Sequence, residues 1–295
     1  MKENLNDLIA FMAVAREQSF TRAAAGLGVS QSALSQTLRN LEERLDLKLL
    51  NRTTRSVTTT EAGDRLLELV GPALDDIDAG LAELHSLKGK PAGTVRITAD
   101  EFAVSTVLWP ALQPLLRDHP DIKVELSVDY GLVDIAKERF DAGVRRAGLI
   151  AKDMIAVPIC PPIRMVVVGS PDYFNRHTPP QKPQDLVAHN AINLRLPTQG
   201  GVFPWLFQVR KKEVKTHTEG QLVFNSILQV LQAAKDGMGL AYLPEALAQP
   251  GLDDGSLISV LDRYSHTFPG YHLYYTSRRK ASTAFAMVVD ALRLT

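Results

Sequence analysis

Gln31, Ser32, Ser35, Gln36 and Arg39 lie within nine residues of one another. A helix advances about 100° per residue, so these side chains would share an arc roughly 140° wide. Leu34, Leu38, Leu41 and Leu45 would fall within roughly 60° of each other elsewhere on the wheel. One face is then a leucine stripe for a core. The other is hydroxyls, carboxamides and a guanidinium, with no carboxylate until Glu42. Glutamine can pair bidentately with adenine and arginine with guanine, and serine serves bases or phosphates as donor or acceptor. Such groups in the first turns of a helix suit entry into a major groove N-terminus first. Ser30 precedes them as an N-cap that accepts from a free backbone N–H. The alternative is a solvated surface helix. Solvated faces usually alternate Glu and Lys, and this one does not.

A second group follows at Arg52, Thr53 and Arg55. The β-branched residues around this Arg-bearing centre predict a hairpin, a wing after the helix. Arginine at its tip suits phosphate or minor-groove contact, against the alternative of a solvated turn. Upstream, Asn6 would cap a helix running to about Gln18, with Leu5, Leu8, Met12 and Ala15 on one face. Thr21 would start a short Ala-rich helix and join the DNA-facing set. Gly28 suits a left-handed C-cap, and Val29 would plug the core between the two helices. Helix, Ala-rich helix, glycine turn and polar-faced helix make a helix-turn-helix pattern.

Thr60 would cap a long helix reaching about Leu87. Its Leu67, Val70, Leu74, Ile77, Leu81 and Leu84 are spaced 3, 4, 3, 4, 3, a heptad seam for pairing two chains. The alternative is a helix packed on its own domain. Pro72 lies off the seam and should kink the helix.

Composition bounds the rest. The chain has 295 residues, 45% hydrophobic and 22% charged, room for one to three globular domains. Its formal net charge is zero, whereas a chain that coats nucleic acid is usually basic. DNA-binding charge must therefore be local. Phe20 to Thr60 holds six Lys/Arg against three acids, net +3. Cys160 is the only cysteine, so neither an internal disulfide nor a Cys-rich zinc site is available. No signal-peptide pattern and no apolar run of about 20 residues is present, so a cytoplasmic chain without membrane contact is expected. Hydrolase, zinc-protease, Walker and dinucleotide-binding motifs are absent, and the histidines lack metal spacing. No enzyme, metal or cofactor is expected.

From Gly93 the texture becomes alternating strands and helices, which predicts a mainly parallel sheet. Helices are expected over Val104 to Arg117, about Val133 to Phe140, Ser226 to Lys235 and Ala281 to Leu294. Ser105 and Thr106 would start the first of these, where hydroxyls and free N–H groups either hold a carboxylate or simply cap. Arg145 and Arg146 end a strand, and one of them can pair with an anion while the other stays at the surface. Asn225 precedes the Ser226 helix, as ligand donor or plain cap. Asn193, Arg195 and Thr198 sit near another strand end. A small organic anion is the ligand these groups suggest.

Residues 5–63 resemble the winged helix-turn-helix of LysR-type transcriptional regulators. The likeness rests on Phe20-Thr21-Arg22-Ala23-Ala24, Val29-Ser30-Gln31-Ser32-Ala33-Leu34-Ser35, Leu41-Glu42, Leu49-Leu50-Asn51-Arg52-Thr53-Thr54-Arg55 and Thr58-Thr59-Thr60-Glu61-Ala62-Gly63. Ser32 stands where proline is frequent, a tolerable change near a helix start. Phe140-Asp141-Ala142-Gly143-Val144-Arg145, Val168-Gly169-Ser170-Pro171-Asp172-Tyr173-Phe174 and Pro269-Gly270-Tyr271-His272-Leu273-Tyr274-Tyr275 resemble landmarks of the same family's effector domain. The resemblance implies an α/β chain with an all-α/winged-helix N-terminal domain. It sets a winged helix-turn-helix at 1–60, a linker/dimerisation helix at 61–90, and a two-lobed periplasmic-binding-protein-like effector domain at 91–295. Lobe 1 would be about 91–162 plus 269–295, and lobe 2 about 163–268. It further implies double-stranded DNA with an interrupted palindrome, a small-molecule effector between the lobes, and a homodimer that forms tetramers. Contact with RNA polymerase belongs to the same expectation. A solute-binding module is disfavoured by the missing leader, and an enzyme with a helical extension by the missing motifs.

Overall fold

The computed structural model describes residues 4–52, 57–86, 91–151, 153–197, 201–276 and 282–294. Packing divides the chain into Met1–His85 and Ser86–Thr295.

In the first unit, α1 (Leu5–Glu17), α2 (Phe20–Leu27) and α3 (Gln31–Leu45) precede a hairpin of β1 (Leu50–Arg52) and β2 (Val57–Thr59) and a long helix, α4 (Glu61–Ser86). Caps set the starts. Asn4, not Asn6, caps α1 by accepting from Asn6 N–H, and Ser19 caps α2 ahead of Thr21. Gly28 ends α2 at φ +67°, a conformation that glycine adopts without steric cost. Phe11, Val14, Ala23, Ala24, Leu34, Leu38 and Leu41 form the core. Val29 does not plug it. It follows the left-handed turn and stays 46% exposed. Glu42 ties the wing to α3, since its buried carboxylate accepts from the N–H groups of Leu49 (2.8 Å) and Leu50 (3.2 Å).

The second unit runs β3 (Gly93–Ala99), α5 (Glu101–Ala103), a π-helical stretch (Val104–Leu108), α6 (Trp109–Asp118), β4 (Ile122–Val128), β5 (Ala142–Arg146) and β6 (Met154–Pro158). It continues through β7 (Ile163–Gly169), α7 (Pro171–Arg176), β8 (Ala191–Leu196), β9 (Gly201–Val202), β10 (Trp205–Val209), β11 (Lys212–Thr216) and β12 (Leu222–Phe224). Then come α8 (Ile227–Lys235), β13 (Leu240–Pro244), α9 (Glu245–Asp253), β14 (Ile258–Val260), β15 (Thr267–Phe268), β16 (Tyr271–Thr276) and α10 (Thr283–Leu292). One sheet has the order β4-β3-β5-β16-β6, and the other β12-β8-β13-β7-β14 with β15 on β7 and β9 on β8. Each sheet is the floor of one lobe. The chain crosses between them twice, and Ile163 and Phe268 pair where the crossings adjoin.

Three expectations need correction here. The sheets are mixed rather than mainly parallel. β3 lies parallel to β4 and β5, but β16, arriving from the other lobe, runs antiparallel to β5 and β6. Likewise β7 is antiparallel to β13 and β14. Val133 to Phe140 is a turn, not a helix. Asp134 Oδ1 accepts from Ala136 and Lys137 N–H, and Arg139 ends the turn at φ +59° before a second turn can form. The helix expected from Val104 starts earlier, at Glu101 with Asp100 as cap, and widens to π geometry just before Pro110. Proline has no N–H for Thr106 O, and the Trp109 N–H reaches back five residues to Val104 O instead.

Candidate functional site

Helix α3 presents the polar face. Ser30 Oγ accepts from Ala33 N–H at 3.1 Å and lies 3.0 Å from Ser32 Oγ. Leu34, Leu38 and Leu41 are buried, which turns Gln31, Ser32, Gln36 and Arg39 outward. Ser35 is half-buried at the edge of this face. Thr21 Oγ1 donates to Gln31 Oε1 at 3.4 Å, tying the start of α2 to the first residue of α3. Gln36 donates to Asn40 Oδ1 at 2.8 Å, so Asn40 is an exposed neighbour of the polar face, outside the set expected from the sequence. Arg52 ends β1. Its side chain, with Thr53 and Arg55, lies outside the described residues.

The heptad seam of α4 splits. Leu67 and Val70 pack against the unit's own core and Leu74 is part of it. The winged domain therefore covers part of the seam, while Leu67 and Val70 stay only half-buried against it. Ile77 (46%) and Leu81 (52%) are exposed, and the Leu84 side chain lies outside the described residues.

Within the second unit a cavity of about 280 Å³ opens between the lobes. Glu101, Val128, Asp129 and Tyr130 line it from one lobe, and Pro197, Asn225 and Ser226 from the other. Glu101 follows β3, Asp129 and Tyr130 follow β4, Pro197 follows β8, and Asn225 and Ser226 follow β12. Nearly the whole lining therefore sits at the carboxyl ends of parallel strands, where open α/β sheets leave a crevice. Tyr130 donates to Glu101 Oε2 at 3.2 Å. Burial, and then the neighbouring Glu101 charge, push its phenol well above the ordinary range, so the proton stays on the donor.

Among the described residues expected to meet an effector, Asn225 alone lines this cavity. Ser105 and Thr106 are not at a helix start. Their hydroxyls donate back to Glu101 O (2.9 Å) and Phe102 O (2.6 Å) within their own helix. Arg145 is 3% exposed and donates to Val144 O (2.8 Å), Thr98 O (3.3 Å) and Gly131 O (2.5 Å). Arg146 is half-buried and stacks on Phe268 at 4.3 Å. Neither arginine is a surface cation. Asn193 is buried in a two-way contact with Thr218, accepting at 2.8 Å and donating at 3.1 Å. Arg195 is exposed where β8 pairs with β9, and Thr198 lies outside the described residues. Next to Glu101 in the chain, Asp100 Oδ2 accepts from the Tyr271 hydroxyl at 2.7 Å. Burial raises the Asp100 carboxyl, opposed by that phenol, by Ala103 N–H and by Arg145 and Arg146. Among the described residues no group of three or more His, Cys, Asp or Glu is placed to hold a metal, and no helix is long and apolar enough to cross a membrane.

A winged helix-turn-helix joined to a two-lobed domain with a crevice defines a class, and comparison with known proteins gives it a family. Residues 5–64 match the model of the bacterial regulatory helix-turn-helix protein, lysR family. Residues 88–294 match the LysR substrate binding domain. The chain belongs to the LysR family of DNA-binding transcriptional regulators with a substrate-binding effector domain, and its relatives are regulators rather than enzymes. It is 53% identical over 295 residues to a transcriptional regulator of Pseudomonas aeruginosa, covering 100% of this chain and 96% of that one. It is 51% identical over 292 residues to the HTH-type transcriptional regulator PgrR of Escherichia coli, covering 99% and 98%. In fold it is similar to full-length AphB of Vibrio cholerae, with TM-score 0.63, 24% identity and coverage of 99% and 100%. Regulators of this family bind DNA and small-molecule effectors and form oligomers.

Proposed function

We propose that Gln31, Ser32, Ser35, Gln36 and Arg39 read or position operator DNA, with Thr21 and Ser30 fixing the start of α3. The observation that carries this reading is the outward polar face of α3 over a buried leucine stripe. Arg52, Thr53 and Arg55 of the wing hold phosphate or the minor groove. The DNA-binding part spans 1–60, the linker helix 61–90 and the effector part 91–295. Two chains pair through the exposed seam that begins at Ile77 and Leu81, with Leu84 one heptad step further. The dimer then meets an interrupted palindrome on one face of the duplex. Two dimers join as a tetramer, and the regulator works in the cytoplasm beside RNA polymerase. The effector is a small organic anion that enters the interlobe cavity at Asn225 and the N-terminus of α8. Its binding shifts the population between two arrangements by its difference in affinity for them.

A hydroxyl-radical footprint on the intergenic DNA beside the gene tests this reading. Protected patches on one face, separated by whole helical turns of about 10.5 base pairs, are expected. Unbroken protection without that period would overturn it.

A further inference from the structure

A helix leaves its first N–H groups without partners inside the helix. In α8 these belong to Ile227, Leu228 and Gln229. Gln229 N–H donates to the helix's own cap, Ser226 Oγ, at 3.4 Å. The other two are satisfied from the opposite lobe. Ile227 N–H donates to Tyr130 Oη at 3.4 Å, and Leu228 N–H to Glu101 Oε2 at 3.4 Å. Ser226 Oγ, with its lone pair engaged by Gln229, donates its proton to the same carboxylate, 2.8 Å from Oε2 and 3.1 Å from Oε1. Tyr130 adds a second hydroxyl donor to Glu101 at 3.2 Å. One lobe thus supplies a carboxylate and a phenol to the helix end of the other, and both line the cavity. A carboxylate at a helix N-terminus is favoured by the helix dipole and makes charge-assisted hydrogen bonds.

We propose that Glu101 is an interlobe latch: it closes the effector cleft by occupying, as a built-in anion, the α8 N-terminus that an anionic effector would use. This rests on the reading of the cleft as the effector site. An effector carboxylate then enters only by displacing Glu101, and its binding unfastens the lobes. A tethered competitor acts at a high effective concentration, so it also raises the threshold at which the effector is felt. Because opening breaks the contacts of Glu101 with Ser226 and Leu228 and of Tyr130 with Ile227 together, the latch favours two discrete states, closed on Glu101 or filled by the effector.

Hydrogen exchange at the Ile227 and Leu228 amides reads the latch in the full-length protein without a known effector. Glu101→Ala should speed exchange there by about tenfold, the scale of one lost charge-assisted bond. Sodium acetate should restore that protection in Glu101→Ala, while sodium chloride at the same ionic strength should not, and wild type should ignore both. Glu101→Gln keeps an acceptor without the charge and should give a smaller change, which covers the case in which the alanine variant folds poorly. Operator affinity of Glu101→Ala should differ from wild type by about threefold or more if the latch sets the regulatory state. Unchanged exchange at Leu228 in both variants would overturn the latch. Faster exchange with an unmoved operator affinity would overturn its regulatory role. Failure of the effector-site reading itself would show differently, as faster exchange at Leu228 in Glu101→Ala that sodium acetate does not restore.

Discussion

Arg39 projects from the third turn of α3 and is exposed, so its guanidinium is available for a guanine edge. Arg39→Ala should weaken specific operator binding by about 1–3 kcal/mol, measured by fluorescence anisotropy, without lowering the melting temperature. Binding equal to wild type would remove Arg39 from the reading face. Glu42 does the opposite kind of work, holding the wing's first strand to α3. Burial alone would raise its carboxyl, but the Leu49 and Leu50 N–H groups and Lys48 outweigh this and lower it from 4.5. A lowered folded value means stability that is complete above the unfolded pKa and lost as pH falls through the folded one. Glu42→Gln should therefore cost about 1–3 kcal/mol near neutrality in denaturant unfolding, and the gap to wild type should close below about pH 4.5. A gap that ignores pH would contradict the assignment. The α3 face was legible in sequence because it is local, with leucines and polar groups at helical spacing over fifteen residues. The cleft was not, because its polar contacts join Glu101 to Ser226, 125 residues away. Serine, threonine and arginine near strand ends read equally well as ligands or as backbone partners, and here Ser105, Thr106 and Arg145 bond to backbone carbonyls.

The long helix α4 shows what periodicity reads and what it cannot. The 3, 4, 3, 4, 3 spacing marks one apolar stripe but says nothing of who covers it. Leu74 is 9% exposed within the winged domain, while Ile77 and Leu81 are open. Ile77→Asp or Leu81→Asp should weaken self-association at least about tenfold in sedimentation or light scattering, with the winged domain still folded. Leu74→Asp should instead unfold that domain, by about 3 kcal/mol or more, since it buries an unpaired charge. The reverse pattern, with Leu74 governing assembly and Ile77 inert, would contradict the division. The Val133–Phe140 stretch misled for a related reason. Its composition suits a helix, but one turn gains too few hydrogen bonds to offset nucleation.

Across the whole molecule, α/β architecture and the winged domain follow from element types and order. The strand directions do not. β16 reaches its sheet only after the chain has built the second lobe, and no local pattern announces that it runs antiparallel to β5. The strand-end rule did carry usable information: residues one or two places after β3, β4, β8 and β12 make up most of the crevice lining. The two units assign DNA reading to a local, net-positive segment of a neutral chain, so specific binding must come from placed side chains rather than bulk charge. A titration in physiological salt, onto the intergenic fragment beside the gene and onto a scrambled fragment of equal length, tests that claim most directly. The intergenic fragment should be preferred by about a thousandfold or more. Equal, weak binding to both would contradict it.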